Sequence, residues 1–196
     1  MMEIIIVSDN PGKIKEYQDK LKPIKLIPYK NILPIEDIPE TGKTFRQNAF
    51  LKADTVHRMT NKACIADDSG LVVESLPDEL GVHSKRFSIQ MTDEANNKLL
   101  IKKLKGIENR KAYFHTSICL ILPFEKPRFY EGQVHGEIID QPQGHHGFGY
   151  DPIFKINELN QTLAQLDIQE KNKFSHRAKA MDLLIKDLKN EYPDLF

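Results

Sequence analysis

Apolar residues along the chain fall into short runs of strand character separated by longer stretches with helical spacing. Ile4, Ile5, Ile6 and Val7 form a continuous run that reads as a buried strand over 3–7. It ends at Ser8-Asp9-Asn10-Pro11-Gly12-Lys13, and residues 14–21 continue as a helix. A second helix is predicted over 44–59, where Phe45, Ala49, Ala53 and Val56 recur at helical intervals and Thr44 stands at the N-cap. Asn48 and Lys52 then share a neighbouring face. Two short apolar segments, 63–66 and 71–73, flank the polar knot Asp67-Asp68-Ser69-Gly70 and place acids at strand ends. A helix is predicted over 92–105, and two long paired strands over 112–122 and 128–139, joined by a turn at 123–127. A final helix is predicted over 175–189, capped by Ser175, with Ala180, Leu183, Leu184 and Leu188 on its buried face and His176 and Arg177 in its first turn.

This succession predicts an α/β protein with a mixed sheet, parallel where strands alternate with helices and antiparallel where two strands follow each other. With 196 residues and 40% apolar content, the chain can bury one substantial core or two closely joined lobes. No repeat, low-complexity tract or linker divides it, so a single domain over 1–196 is expected. Lysine plus arginine and aspartate plus glutamate both total 28, which leaves no global basic field to hold DNA or RNA. An anion site must therefore be local. The strand-like opening carries no charged leader, and no long apolar segment suggests a membrane partner, so a cytoplasmic protein is expected. Cys64 and Cys119 sit in apolar runs and read as small buried thiols rather than a disulfide.

Three segments place charge beside glycine: residues 8–13 (SDNPGK), 40–42 (ETG) and 66–70 (ADDSG). In the first, Asn10, Gly12 and Lys13 lie at a strand-to-helix turn, which serves either as a simple cap or as a phosphate site offering N–H donors and a cation. Glu40 with Asp67 or Asp68 is an adequate oxygen donor set for magnesium, which takes one or two carboxylates and completes its octahedron with water and substrate phosphates. The adjacent His145 and His146, and the scattered His83, His115, His135 and His176, lack zinc-ligand spacing. Ser69 and Ser84 lie in no nucleophile elbow and have no legible histidine-acid partner, which favours an activated water. Residues 144–154 (GHHGFGYDPIF) combine glycines, aromatics and an acid; Phe148, Tyr150 and Phe154 either pack the core or stack on a base. Lys171, His176 and Arg177 read either as a solvated helix start, unfavourable against the helix dipole, or as partners of a bound anion.

In this order the segments SDNPGK (8–13), ETGKTFRQNAFLKA (40–53), ADDSGL (66–71), GVHSKRFS (81–88), GFGYDPIF (147–154) and EKNKFSHRAKA (170–180) resemble the inosine triphosphate pyrophosphatase family, the XTP/dITP diphosphatases, over practically the whole chain. The resemblance implies an elongated central sheet flanked by helices, in two lobes with the active-site cleft between them, and a homodimer. It implies hydrolysis of ITP, dITP and XTP to monophosphate and pyrophosphate with Mg2+. Glu40 and Asp68 become the magnesium-linked acids, Asp68 also the general base, and Asp67 a supporting acid. Ser8, Asp9, Asn10, Pro11, Gly12, Lys13, Asn48, Lys52 and Ser69 are expected at the substrate, with Asn10, Lys13 and Lys52 on the triphosphate. Phe148, Gly149, Tyr150 and Asp151 are expected to line the nucleoside pocket, and Lys171, His176 and Arg177 to hold and read the base. Lys85 and Phe87 depart from the alanine and tyrosine usual in the family, and His145-His146 precede the glycine turn.

Overall fold

The computed structural model describes residues 2–195. The strands are β1 (Glu3–Ile6), β2 (Lys25–Pro28), β3 (Cys64–Val73), β4 (Lys111–Ile121), β5 (Arg128–Ile138), β6 (Phe154–Ile156) and β7 (Gln161–Thr162). Among the described residues they form one sheet in the order β2-β1-β3-β4-β5-β6-β7. β1 pairs in parallel with β2 and β3, whereas β6 is antiparallel to β5 and β7, so the sheet is mixed as expected. The helices are α1 (Pro11–Lys20), α2 (Phe45–Thr60), α3 (Asp93–Lys103), α4 (Ile168–Phe174) and α5 (His176–Glu191). None is long and apolar enough to cross a membrane.

The chain divides into two compact units, each with its own packing. The first comprises the chain up to Asp68, Thr116–Gly132, and the chain from Arg177 onward. Its strands are buried on both faces, and consecutive residues enter alternate cores, as a period of two requires. Ile4, Ile6, Ile65, Ile118 and Leu120 pack with Tyr17 and Leu21 at α1 and Ala180, Met181, Leu184 and Leu188 of α5. Ile5, Val7, Cys64, Ala66, Cys119 and Ile121 pack with Ala49, Ala53 and Val56 of α2. Both cysteines are free and buried, and burial pushes each thiol up to about 12. The second unit comprises Ser69–His115 and Gln133–His176, with a core of Leu71, Val73, Leu100, Phe114, Val134, Ile153, Phe154 and Leu163 among others.

Helix boundaries follow their caps. α2 starts after Thr44, whose hydroxyl accepts from the Gln47 N–H, and ends at Asn61 in the left-handed region. α3 starts after Thr92, which accepts from the Ala95 N–H. α1 begins at Pro11, three residues before the apolar spacing becomes legible, because Asn10 caps it and proline suits the first helical position.

The structure corrects two expectations. The segments 63–66 and 71–73 are parts of one continuous strand, β3, which carries the acidic knot within it. Leu183 is half exposed rather than buried. The structure also adds an element that the apolar spacing did not predict: α4 forms before α5 behind a capping box in which Asp167 accepts from the Glu170 N–H and Glu170 accepts from that of Asp167. Ser175 lies in an extended conformation at the end of α4 and immediately before α5, the position at which the sequence places a cap.

Candidate active site

The acidic knot owes its geometry to the pleat of β3. Ile65 belongs to the core of α1 and α5 and Ala66 to that of α2, so Asp67 and Asp68 enter opposite faces of the sheet. Both are buried.

On the first face, Asp67 Oδ2 lies 2.9 Å from the Lys13 ammonium of α1 and accepts from Arg177 Nε of α5 at 3.2 Å. The Thr116 hydroxyl of β4 donates to it at 3.4 Å. Arg177 is fully buried and donates through its Nη1 to Glu16, also buried on α1. Burial alone would raise the Asp67 carboxyl, but Lys13, Arg177 and Lys52 outweigh it and hold Asp67 well below the usual carboxylate range. Lys13 is lowered by burial, with Asp67 opposing.

On the second face, Asp68 Oδ2 accepts from Asn48 Nδ2 of α2 at 2.9 Å. Asn48 is fully buried, and its Oδ1 accepts from the Gly42 N–H at 2.7 Å. One amide thus ties the ETG segment to Asp68. A Cβ at Gly42 would stand 2.6 Å from Asn48 Oδ1, so this approach requires glycine. One helical turn on, Lys52 donates to Glu40 Oε1 at 2.7 Å. Burial raises the Asp68 carboxyl; Lys52 and Lys13 oppose this and Glu40 reinforces it, and the net direction is upward. Lys52 itself is raised, because Asp68, Glu40 and Asp67 overcome its burial. Two neighbouring aspartates are therefore driven apart in acidity, an arrangement characteristic of sites that need a fixed carboxylate beside a proton acceptor.

Of the two readings of the SDNPGK turn, its backbone takes the cap. Asn10 Oδ1 accepts from the Gly12 and Lys13 N–H groups, and Asn10 O from that of Ile14, so the first-turn donors are satisfied internally. The cation that the turn presents is the Lys13 side chain. Ser8 Oγ accepts from the Asn10 N–H, and Asp9 accepts from the Tyr29 hydroxyl and pairs with Lys30. Pro11 occupies the start of α1.

In the second unit, the Lys171 ammonium lies 2.7 Å from Asp151 Oδ2 and 4.5 Å from the Phe148 ring centroid, a cation–π arrangement. Lys171 and Asp151 are buried. The Phe148 N–H donates to Asp151 Oδ2 at 2.9 Å, and Gly147 and Gly149 flank the ring with φ of 78° and 65°. Tyr150 belongs to the core and donates its hydroxyl to Ser84 O, whereas Phe148 is half-buried. His176 is buried and stacks on Phe114 at 4.8 Å and 11°. Ser69, half-buried, follows Asp68 on β3. Ser84 Oγ donates to Gly81 O at 2.6 Å and accepts from the Leu71 N–H at 3.0 Å, the bonding of a structural latch. Lys85 is exposed, Phe87 packs on the core, and His145 and His146 are exposed with ring centroids 4.4 Å apart.

The solvated reading of Lys171, His176 and Arg177 is overturned, because all three are buried and the carboxylates of Asp151, Glu16 and Asp67 neutralise the two permanent cations. Glu16 escaped sequence reasoning. Its signal was an acid three residues after Lys13, beside the core residue Tyr17, within the predicted first helix. Thr116 gave no local signal. No group of three or more His, Cys, Asp or Glu side chains able to hold a metal ion occurs among the described residues.

A model of the Ham1 family matches residues 4–187. The chain is 43% identical over 192 residues to the dITP/XTP pyrophosphatase of Bacillus subtilis (strain 168), covering 95% of this chain and 96% of that protein. The solved structure of the Staphylococcus aureus Ham1 protein has a TM-score of 0.88 and 40% identity, covering 96% of this chain and 99% of the other. A HAM1 protein from Coxiella burnetii has a TM-score of 0.89 and 38% identity, covering 97% and 100%.

Proposed function

Because the chain belongs to the Ham1 family, we infer that it is a hydrolase that converts ITP, dITP and XTP to the nucleoside monophosphate and pyrophosphate. This removes non-standard purine nucleotides from the pool before they enter DNA or RNA. The observation that carries the reading is the pair Asp67 and Asp68, adjacent in sequence, on opposite faces of β3 and driven apart in acidity.

Hydrolysis at the α-phosphorus forms a bond from a water oxygen to phosphorus, breaks the bond to the oxygen bridging to the β-phosphate, and releases pyrophosphate. Asp68 takes the water proton, since burial makes it more basic than an ordinary aspartate and Asn48 orients it. Lys13 and Lys52 bind the triphosphate, each held at its post by a carboxylate, Asp67 and Glu40 respectively. Asn10 adds the Nδ2 of its side chain. Asp67 remains ionised and fixes Lys13.

The donor chemistry fits Mg2+. Glu40 and Asp68 offer carboxylate oxygens alone, and a site short of a full protein cage is what this ion takes when water and phosphates complete its shell. Glu40 and Asp68 would hold it, and when bound it neutralises phosphate charge and lowers the pKa of water. In the second unit, Phe148 stacks on the purine, while Lys171 and His176 shape the base pocket. The enzyme acts in the cytoplasm as a homodimer on free nucleotides.

The test is pyrophosphate release from ITP, dITP, XTP, ATP, GTP, dUTP and TTP, with Mg2+ and after chelation with EDTA. The inosine and xanthosine nucleotides should dominate kcat/KM, and EDTA should abolish turnover until Mg2+ is restored. A pyrimidine preference would overturn the substrate class, and full turnover in EDTA the metal.

A further inference from the structure

Phe148 lies between two glycines with positive φ, and Asp151 within the same turn accepts from its N–H and donates to its carbonyl. α3 adds bonds from outside that turn. The Gly149 N–H donates to Asp93 Oδ2 at 2.7 Å, and Gly149 O accepts from Asn97 Nδ2 at 3.1 Å. Asp93 and Asn97 are one turn apart on α3 and therefore share a face. Between them they hold both polar groups of the residue after Phe148.

Asn97 is 8% exposed, and its Oδ1 has no hydrogen-bond partner, so donating to Gly149 O leaves a buried acceptor unmet at a cost to stability. An apolar residue would suit the helix better. The preceding position, Asn96, serves the neighbouring segment instead: its Oδ1 accepts from the Ser88 N–H and its Nδ2 donates to Lys85 O. α3 is thus bonded to the chain on both sides, and its link to Gly149 is the one adjoining the aromatic ring.

We propose that Asp93 and Asn97 are positioning residues for the reaction: they clip Gly149 and so hold the Phe148 ring in its stacking orientation against the Lys171 ammonium, setting affinity for the base. The proposal rests on the reading of Phe148 as the residue on which the purine stacks. Neither side chain touches reacting atoms, so the clip governs KM and leaves the chemical step alone.

Asn97→Asp tests it, being nearly isosteric while replacing the donor by an acceptor that repels Gly149 O. KM for ITP is expected to rise roughly tenfold with kcat changed less than about twofold. Asp93→Ala should act likewise, and Asp93→Asn, which keeps an acceptor for the Gly149 N–H, should recover most of the lost affinity. A second readout needs no turnover. The chain contains no tryptophan, so in a Phe148→Trp background the introduced indole is the only one. Adding Asn97→Asp should increase acrylamide quenching of that indole about twofold, by releasing the ring from its packed orientation. An unchanged KM, a fall confined to kcat, or unchanged quenching would overturn the clip. Failure of the unsubstituted protein to hydrolyse ITP would instead overturn the proposed function, while the quenching comparison still decides whether α3 holds residue 148.

Discussion

Asp67→Asn and Asp68→Asn are the same chemical change at adjacent positions, and the structure requires them to behave oppositely. Asp67 is the buried counter-ion of Lys13 and Arg177. Removing one partner from such a network strands the others, at about 3–5 kcal/mol. That is a large share of the roughly 5–15 kcal/mol by which domains are stable. For a chain of this length it corresponds to a fall in Tm on the order of 10 °C. Asp68 is a carboxyl whose ionisation burial disfavours, so Asp68→Asn should raise Tm at neutral pH while reducing kcat by about a hundredfold to ten-thousandfold through loss of the base.

The signs separate further with pH. The Asp67 carboxyl is depressed in the folded protein, so its contribution is present above its unfolded value near 3.8 and is lost as pH falls towards its folded value. The deficit of Asp67→Asn should therefore shrink in acid. The Asp68 carboxyl is raised, so the wild-type penalty is absent below 3.8 and grows as pH rises through the folded value. The advantage of Asp68→Asn should open over that interval and persist at pH 7. Thermal denaturation in metal-free buffer from pH 3 to 8, with pyrophosphate release from ITP measured alongside, checks both. Equal Tm shifts in the same direction would refute the division of the two acids between the faces, and retention of most turnover in Asp68→Asn would remove it as the base.

Gly42→Ala should lower kcat/KM by roughly tenfold or more, because its Cβ displaces Asn48 Oδ1 and through it Asp68; a fully active variant in the ITP assay would show that Asn48 does not orient the base. Arg177→Met should destabilise by about 3–5 kcal/mol, and adding Glu16→Leu should recover part of this; urea denaturation of the four-member cycle measures the coupling, and strict additivity would contradict the buried pair. Lys13→Met should raise KM for ITP by roughly tenfold more than for the released monophosphate as inhibitor; equal effects on both would take Lys13 off the triphosphate.

What the sequence determined by itself was local. The strand run at Ile4 to Val7, the spacing of Ala49, Ala53 and Val56, and the caps at Thr44 and Thr92 are set by periods of two and three to four residues and by neighbours in the chain, all legible without a fold. Glu40 and Asp68 could be picked out because charge beside glycine has no folding rationale, whereas Asn48 and Lys52 were marked by their shared helix face and by the family resemblance, and that face proved to meet Asp68 and Glu40. α4 was missed although its Asp167 and Glu170 form a capping box, because its few apolar residues carry no clear period. Leu183 was misplaced because spacing gives the direction of a helix face but not its width.

Only tertiary structure decided the roles of the charges. Arg177 meets Glu16 across 161 positions and Asp67 across 110, and a partner so remote leaves no mark on local periodicity. The two aspartates of the knot look equivalent in the sequence. They become unlike because β3 lies between two cores and its pleat sends one towards buried cations and the other towards an amide and a neighbouring acid, so that the environment on each face, rather than the residue type, fixes which carboxylate stays charged and which can accept a proton.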